Sequence, residues 1–113
     1  MNKNTLVSAL LVAALLAVGC GASEPEPQRV EIEVGASGYT PSEVRTSAGT
    51  PLTLVFTRTT DEGCGGEIVI ASQNIRRELP LDEPVEISFT PTEAGELRFT
   101  CGMDMFDGAI VVQ

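Results

Sequence analysis

An all-β fold, a sandwich or Greek-key barrel of seven to eight strands, is what the sequence predicts for residues 30–113. Three observations predict it. From Arg29 onward apolar residues alternate with polar ones at period two. The alternating runs are short and are separated at regular intervals by Gly, Pro and Asp clusters. No stretch of twelve residues beyond the N-terminal leader carries an apolar stripe at helical spacing. With 113 residues and no repeated block, the chain has room for one domain.

The elements follow in order. Val30, Ile32 and Val34 alternate with Glu31 and Glu33, which makes a strand with one buried face. The turn-rich stretch Gly35–Ser42 ends it, and Glu43–Ser47 is the next candidate. Ala48-Gly49-Thr50-Pro51 then separates it from Leu52–Thr59. Beyond Asp61–Gly66 come Glu67–Ala71 and Ile75–Leu79. Pro80–Pro84 precedes Val85–Thr90, and Pro91–Gly95 precedes Glu96–Cys101. Gly102–Gly108 leads into the last strand, Ala109–Val112. Aromatic residues are few, so the expected core rests on Val, Ile and Leu.

The first 19 residues read as an export signal. Lys3 supplies a short positive region, and Leu6–Val18 is an apolar run broken only by Ser8. That run is too short for a membrane span of ~20 residues but suits a signal-peptide core. Leu16-Ala17-Val18-Gly19-Cys20 resembles a bacterial lipobox, which implies lipidation of Cys20 and anchoring at the cell membrane or a periplasm-facing membrane. The alternative is an ordinary secretory signal cleaved nearby; both export the chain. Residues 20–29 then form the lipidated Cys and a flexible acidic tether, and residues 30–113 the domain.

Composition excludes several functions. The formal charge is −9, and so acidic a surface lacks the basic footprint that nucleic acid requires. The chain contains no His. This removes Ser–His–Asp and Cys–His catalysis, His-bearing zinc sites and the two-imidazole blue-copper site. No general base with a partner is visible, so an enzyme is not expected.

Gly38-Tyr39-Thr40-Pro41, Ala48-Gly49-Thr50-Pro51 and Leu52–Arg58 resemble the opening of cupredoxin-like domains. Pro91–Cys101, the following loop and Gly108–Val112 resemble their close. In that family a ligand Cys ends the penultimate strand. Here the loop reads Cys101-Gly102-Met103-Asp104-Met105, and Cys64 stands where an early His is usual. The resemblance is therefore to the copper(I)-binding branch. It implies a copper chaperone or buffer, with a copper exporter or an oxidase assembly protein as partner.

The residue chemistry points the same way. Thiolate and thioether sulfurs select copper(I), whereas hard cations seek oxygen. Cys64 and Cys101 can hold one copper(I) digonally. Met103 and Met105, two apart in an extended turn, are expected to face the same way and to clamp a second, weaker ion. One or two copper(I) ions follow. Gly63, Gly65, Gly66 and Gly102 permit the turns that gather these sulfurs. Three other readings stay open: a small redox or electron-transfer protein, a disulfide-closed β-sandwich without metal, and Met103 and Met105 as core gap-fillers. Asp104 and Asp107 read as solvated loop carboxylates, and Arg76-Arg77 as a strand end facing water.

Overall fold

The computed structural model describes residues 26–113; the leader, Cys20 and most of the tether lie outside the described residues. The described chain contains nine strands: β1 (Gln28–Gly35), β2 (Gly38–Thr40), β3 (Glu43–Thr46), β4 (Leu52–Arg58), β5 (Glu67–Ile70), β6 (Ile75–Glu78), β7 (Pro84–Phe89), β8 (Gly95–Cys101) and β9 (Asp107–Val112). A single 3-10 turn, Ala71–Gln73, is the one helical element among the described residues. Eight of the strands match the expected runs. The ninth, β2, lies inside the stretch read as a connection, because three residues between Gly38 and Pro41 give too short an alternation to detect.

The strands form two mixed sheets, in the orders β2-β1-β4-β7 and β3-β9-β8-β5-β6. β1 turns back into β2, the chain crosses to the second sheet as β3, and β4 returns beside β1. The crossing makes β1 and β4 parallel, with Gln28 opposite Leu52 and Val34 opposite Arg58. β3 likewise runs parallel to β9. The remaining neighbours, β4–β7, β8–β9, β5–β8 and β5–β6, are antiparallel.

Alternation decides which side chains face inward. Ile32 and Val34 are buried while Glu31 and Glu33 are exposed. On β4, Leu52, Leu54 and Phe56 enter the core. Val55 is buried as well, although it faces outward. The Arg29–Glu86 ion pair, 2.8 Å, spans β4 on that outer face from β1 to β7. Val44, Ile68, Ile70, Phe99, Ile110 and Val112 come from the opposite sheet. Burying each such side chain contributes roughly 1.5–3 kcal/mol.

Aliphatic residues are only part of this core, contrary to expectation. Tyr39, Phe56, Phe99 and Phe106 pack as one aromatic cluster, with ring centroids 5.0–6.2 Å apart and mostly edge-to-face. Gly108 makes room for it. Gly108 lies opposite Phe99 across β8 and β9, and a Cβ there would overlap the Phe99 ring. Phe106 carries the cluster into the β8–β9 loop, so the core reaches the end of the sandwich where the sulfurs lie.

Candidate metal centre

Phe99 and Cys101 are two apart on β8 and share its inner face, so Cys101 is the last core residue of the strand, 2 % exposed. Cys64 comes from the loop joining β4 to β5 and is half-buried against the core. Gly63 lets that loop press against the β1–β2 turn. Its φ is +82°, and a Cβ there would meet the Ala36 carbonyl oxygen at 2.6 Å and the Phe106 ring at 3.0 Å. The loop so placed brings Cys64 to Cys101. Their Cα atoms are 5.9 Å apart and their sulfurs are joined as a disulfide.

The β8–β9 loop folds over Cys101. The Met105 and Phe106 N–H groups both donate to Cys101 Sγ, at 3.1 and 3.3 Å. Sequence reasoning could not find these donors, because they belong to the backbone and depend on how the loop turns. The Asp104 N–H donates to the Cys101 carbonyl at 3.0 Å, and Cys101 N–H donates to the Phe106 carbonyl at 3.4 Å. Asp104 adopts the left-handed conformation, φ +58°, which short polar residues tolerate.

That conformation corrects one expectation. The turn is tight rather than extended, so Met103 and Met105 border different hollows. Met103 lines one of about 310 Å³ with Gly63, Cys64, Gly66, Glu67 and Gly102. Met105 lines another of about 430 Å³, which Tyr39, Phe106 and Asp107 also border. Neither Met fills the core, since they are 75 % and 71 % exposed.

Carboxylates border both hollows, Glu67 beside Cys64 and Met103 and Asp107 beside Met105. Glu67 pairs with Arg76 at 2.8 Å and Asp107 with Arg98 at 2.7 Å. Asp107 thus opens β9 in an ion pair rather than standing as a free loop carboxylate. Arg76 and Arg77 are exposed, as expected. Asp61, Glu62 and Asp104 are exposed and have no ion-pair partner among the described residues. Tyr39 packs its ring into the aromatic cluster beside this end. Its hydroxyl is buried with no hydrogen-bond partner among the described residues. Burial, and secondarily the nearby Asp107 charge, pushes that hydroxyl well above the usual phenol range.

No group of three His, Cys, Asp or Glu side chains among the described residues is arranged to hold a metal. Beside the two Cys sulfurs, the β8–β9 loop offers the Met103 and Met105 thioethers. That donor set fits a soft ion.

The sequence matches the family described as cupredoxin-like domain over residues 7–112. The chain belongs to that family. Sequence comparison with curated proteins finds no match. Among solved structures, the chain is similar to the metal-binding domain of the Streptococcus pneumoniae Cu(I)-exporting P-type ATPase CopA, described with Cu(I). The identity is 28 %, the TM-score 0.72, and the coverage 80 % of this chain and 98 % of that one. A copper binding protein in its apo form is 30 % identical at TM-score 0.70, covering 82 % of this chain and 100 % of that one. Auracyanin B, 17 % identical at TM-score 0.59 over 80 % and 92 % of the two chains, shares the cupredoxin-like fold.

Proposed function

We propose that this cupredoxin-like chain binds copper(I) through Cys64 and Cys101, with Met103 and Met105 as outer donors. The observation that carries the reading is the pair of N–H groups converging on Cys101 Sγ. A disulfide sulfur is a neutral, weak acceptor, whereas a thiolate is a charged one. Two fixed donors on one buried sulfur therefore favour the thiolate, which is the ligating form. Disulfide and copper(I) compete for the same two sulfurs, so the copper-binding form is the dithiol. The surrounding carboxylates attract a cation towards this end.

The role is carriage rather than catalysis: the chain buffers copper(I) or passes it to a partner. Similarity to the metal-binding domain of a Cu(I)-exporting ATPase supports a copper exporter as that partner; an oxidase assembly protein is the alternative. Lipid at Cys20 holds the exported chain at a membrane, and Cys20→Ala should release it. Unchanged membrane partitioning of that variant would rule the anchor out.

The observed disulfide favours a second reading, a dithiol–disulfide redox protein or a disulfide-closed sandwich without metal. Metal content and free-thiol count on anaerobically purified protein separate the two. The copper(I) reading expects bound copper and no titratable thiol until the metal is stripped, then two at the site. Metal-free protein that stays metal-free after reduction and exposure to copper(I) overturns it.

A further inference from the structure

We infer that Met103 and Met105 are two exposed, reversible oxidation sites whose conversion to sulfoxide removes the outer copper(I) donors and leaves the Cys64–Cys101 position intact. The inference rests on the copper(I) reading above. The residues around this loop differ sharply in exposure. Phe106 is buried in the aromatic cluster, and Cys101 is buried beneath two N–H donors. Met103 and Met105, between them, are the most exposed large apolar side chains among the described residues, at 75 % and 71 %. A Met that serves packing is buried. These two side chains stand open to solvent on a turn whose backbone is fixed by the Asp104–Cys101 and Cys101–Phe106 hydrogen bonds.

A thioether sulfur that is open to a copper ion is equally open to a peroxide. Hydrogen peroxide is the oxidant: the sulfur lone pair attacks one peroxide oxygen, the O–O bond breaks, an S–O bond forms, and the second oxygen leaves as water. Sulfur loses two electrons and the peroxide gains them. The product is a methionine sulfoxide, polar and no longer a soft donor. Copper(I) coordination and oxidation compete for the same sulfur: a bound ion draws off its electron density and blocks peroxide, and the electron-poor sulfoxide no longer serves as a soft donor. The Cys64–Cys101 pair is spared, because in the disulfide form neither Cys carries a thiolate to attack. Oxidation of the disulfide form therefore removes the outer donors and leaves the two Cys sulfurs able, once reduced, to hold the inner ion. Methionine sulfoxide reductases, one for each sulfoxide epimer, reverse it.

The test uses the full chain in its disulfide form. The chain is treated with hydrogen peroxide and mapped by peptide mass spectrometry, which separates Met103 and Met105 from Met1. The product is then reduced, freed of reductant and titrated anaerobically with copper(I). Both loop Met residues should gain one oxygen, the weaker copper(I) should disappear while the tight one stays, and treatment with both reductases should restore it. Met residues that resist peroxide, or an unchanged copper(I) stoichiometry after both are converted, would overturn the inference and leave the Cys site standing. Untreated reduced chain that binds no copper(I) would overturn the site itself, and the inference with it.

Discussion

Reduction of the Cys64–Cys101 bond should cost this domain a large share of its stability, and copper(I) should return most of it. The bond closes a loop across a sequence separation of 37. For that separation, loop-closure entropy gives about 13 cal/mol/K, or about 4 kcal/mol near room temperature. Small domains are stable by only about 5–15 kcal/mol in total, so the loss is plain to measure. With a urea dependence of about 1.3 kcal/mol/M, the midpoint should fall by roughly 3 M on reduction. Copper(I) bridging the same two thiolates closes the same loop and should move the midpoint back. The chain has no Trp and one Tyr, so the transition is best followed by far-ultraviolet circular dichroism, anaerobically. Cys64→Ser should match the reduced wild type and ignore copper(I). A reduction shift below about 1 kcal/mol would refute the closed loop, and a copper(I) response in Cys64→Ser would refute the shared ion.

Three further outcomes follow from particular contacts. Replacing Met103 and Met105 together by Leu should change stability by no more than about 0.5 kcal/mol, since both are exposed. It should remove one weak copper(I) from an anaerobic titration while the tight one remains; loss of the tight ion would contradict the ligand order. Gly108→Ala should destabilise by about 1–3 kcal/mol, because its Cβ overlaps the Phe99 ring; an unchanged thermal midpoint would contradict that packing. Tyr39 is held neutral in the fold, so its stabilisation is complete below the ordinary phenol value near pH 10 and falls away as pH rises above it. Tyr39→Phe should remove that alkaline loss, and an identical decline in both proteins would assign it elsewhere.

Much of the fold was legible because period-two alternation reports strands directly, as in Val30–Val34 and Leu52–Phe56. β2 was not, since three residues beside a proline carry too little pattern. Parallel pairing of β1 with β4 and of β3 with β9 leaves no local mark, because it depends on where the chain crosses between sheets. The weight of the aromatic cluster was missed for a related reason: Tyr39 and Phe106 lie in short or loop segments, where alternation says nothing about burial. At the site, residue chemistry brought Cys64, Cys101, Met103 and Met105 together as candidates. The structure joins the two Cys and leaves both Met side chains exposed. It departs at Asp104, whose left-handed backbone sends the two Met side chains to different hollows. A rule for extended chain cannot foresee that turn, nor the two N–H groups it delivers to Cys101.

X-ray absorption at the copper edge, on reduced protein loaded with one equivalent of copper(I), tests the Cys64–Cys101 copper site directly. Copper(I) held by Cys64 and Cys101 gives a monovalent edge and a first shell of sulfur alone, lost in Cys101→Ser. A first shell of nitrogen or oxygen, or the same spectrum from Cys101→Ser, would contradict that site.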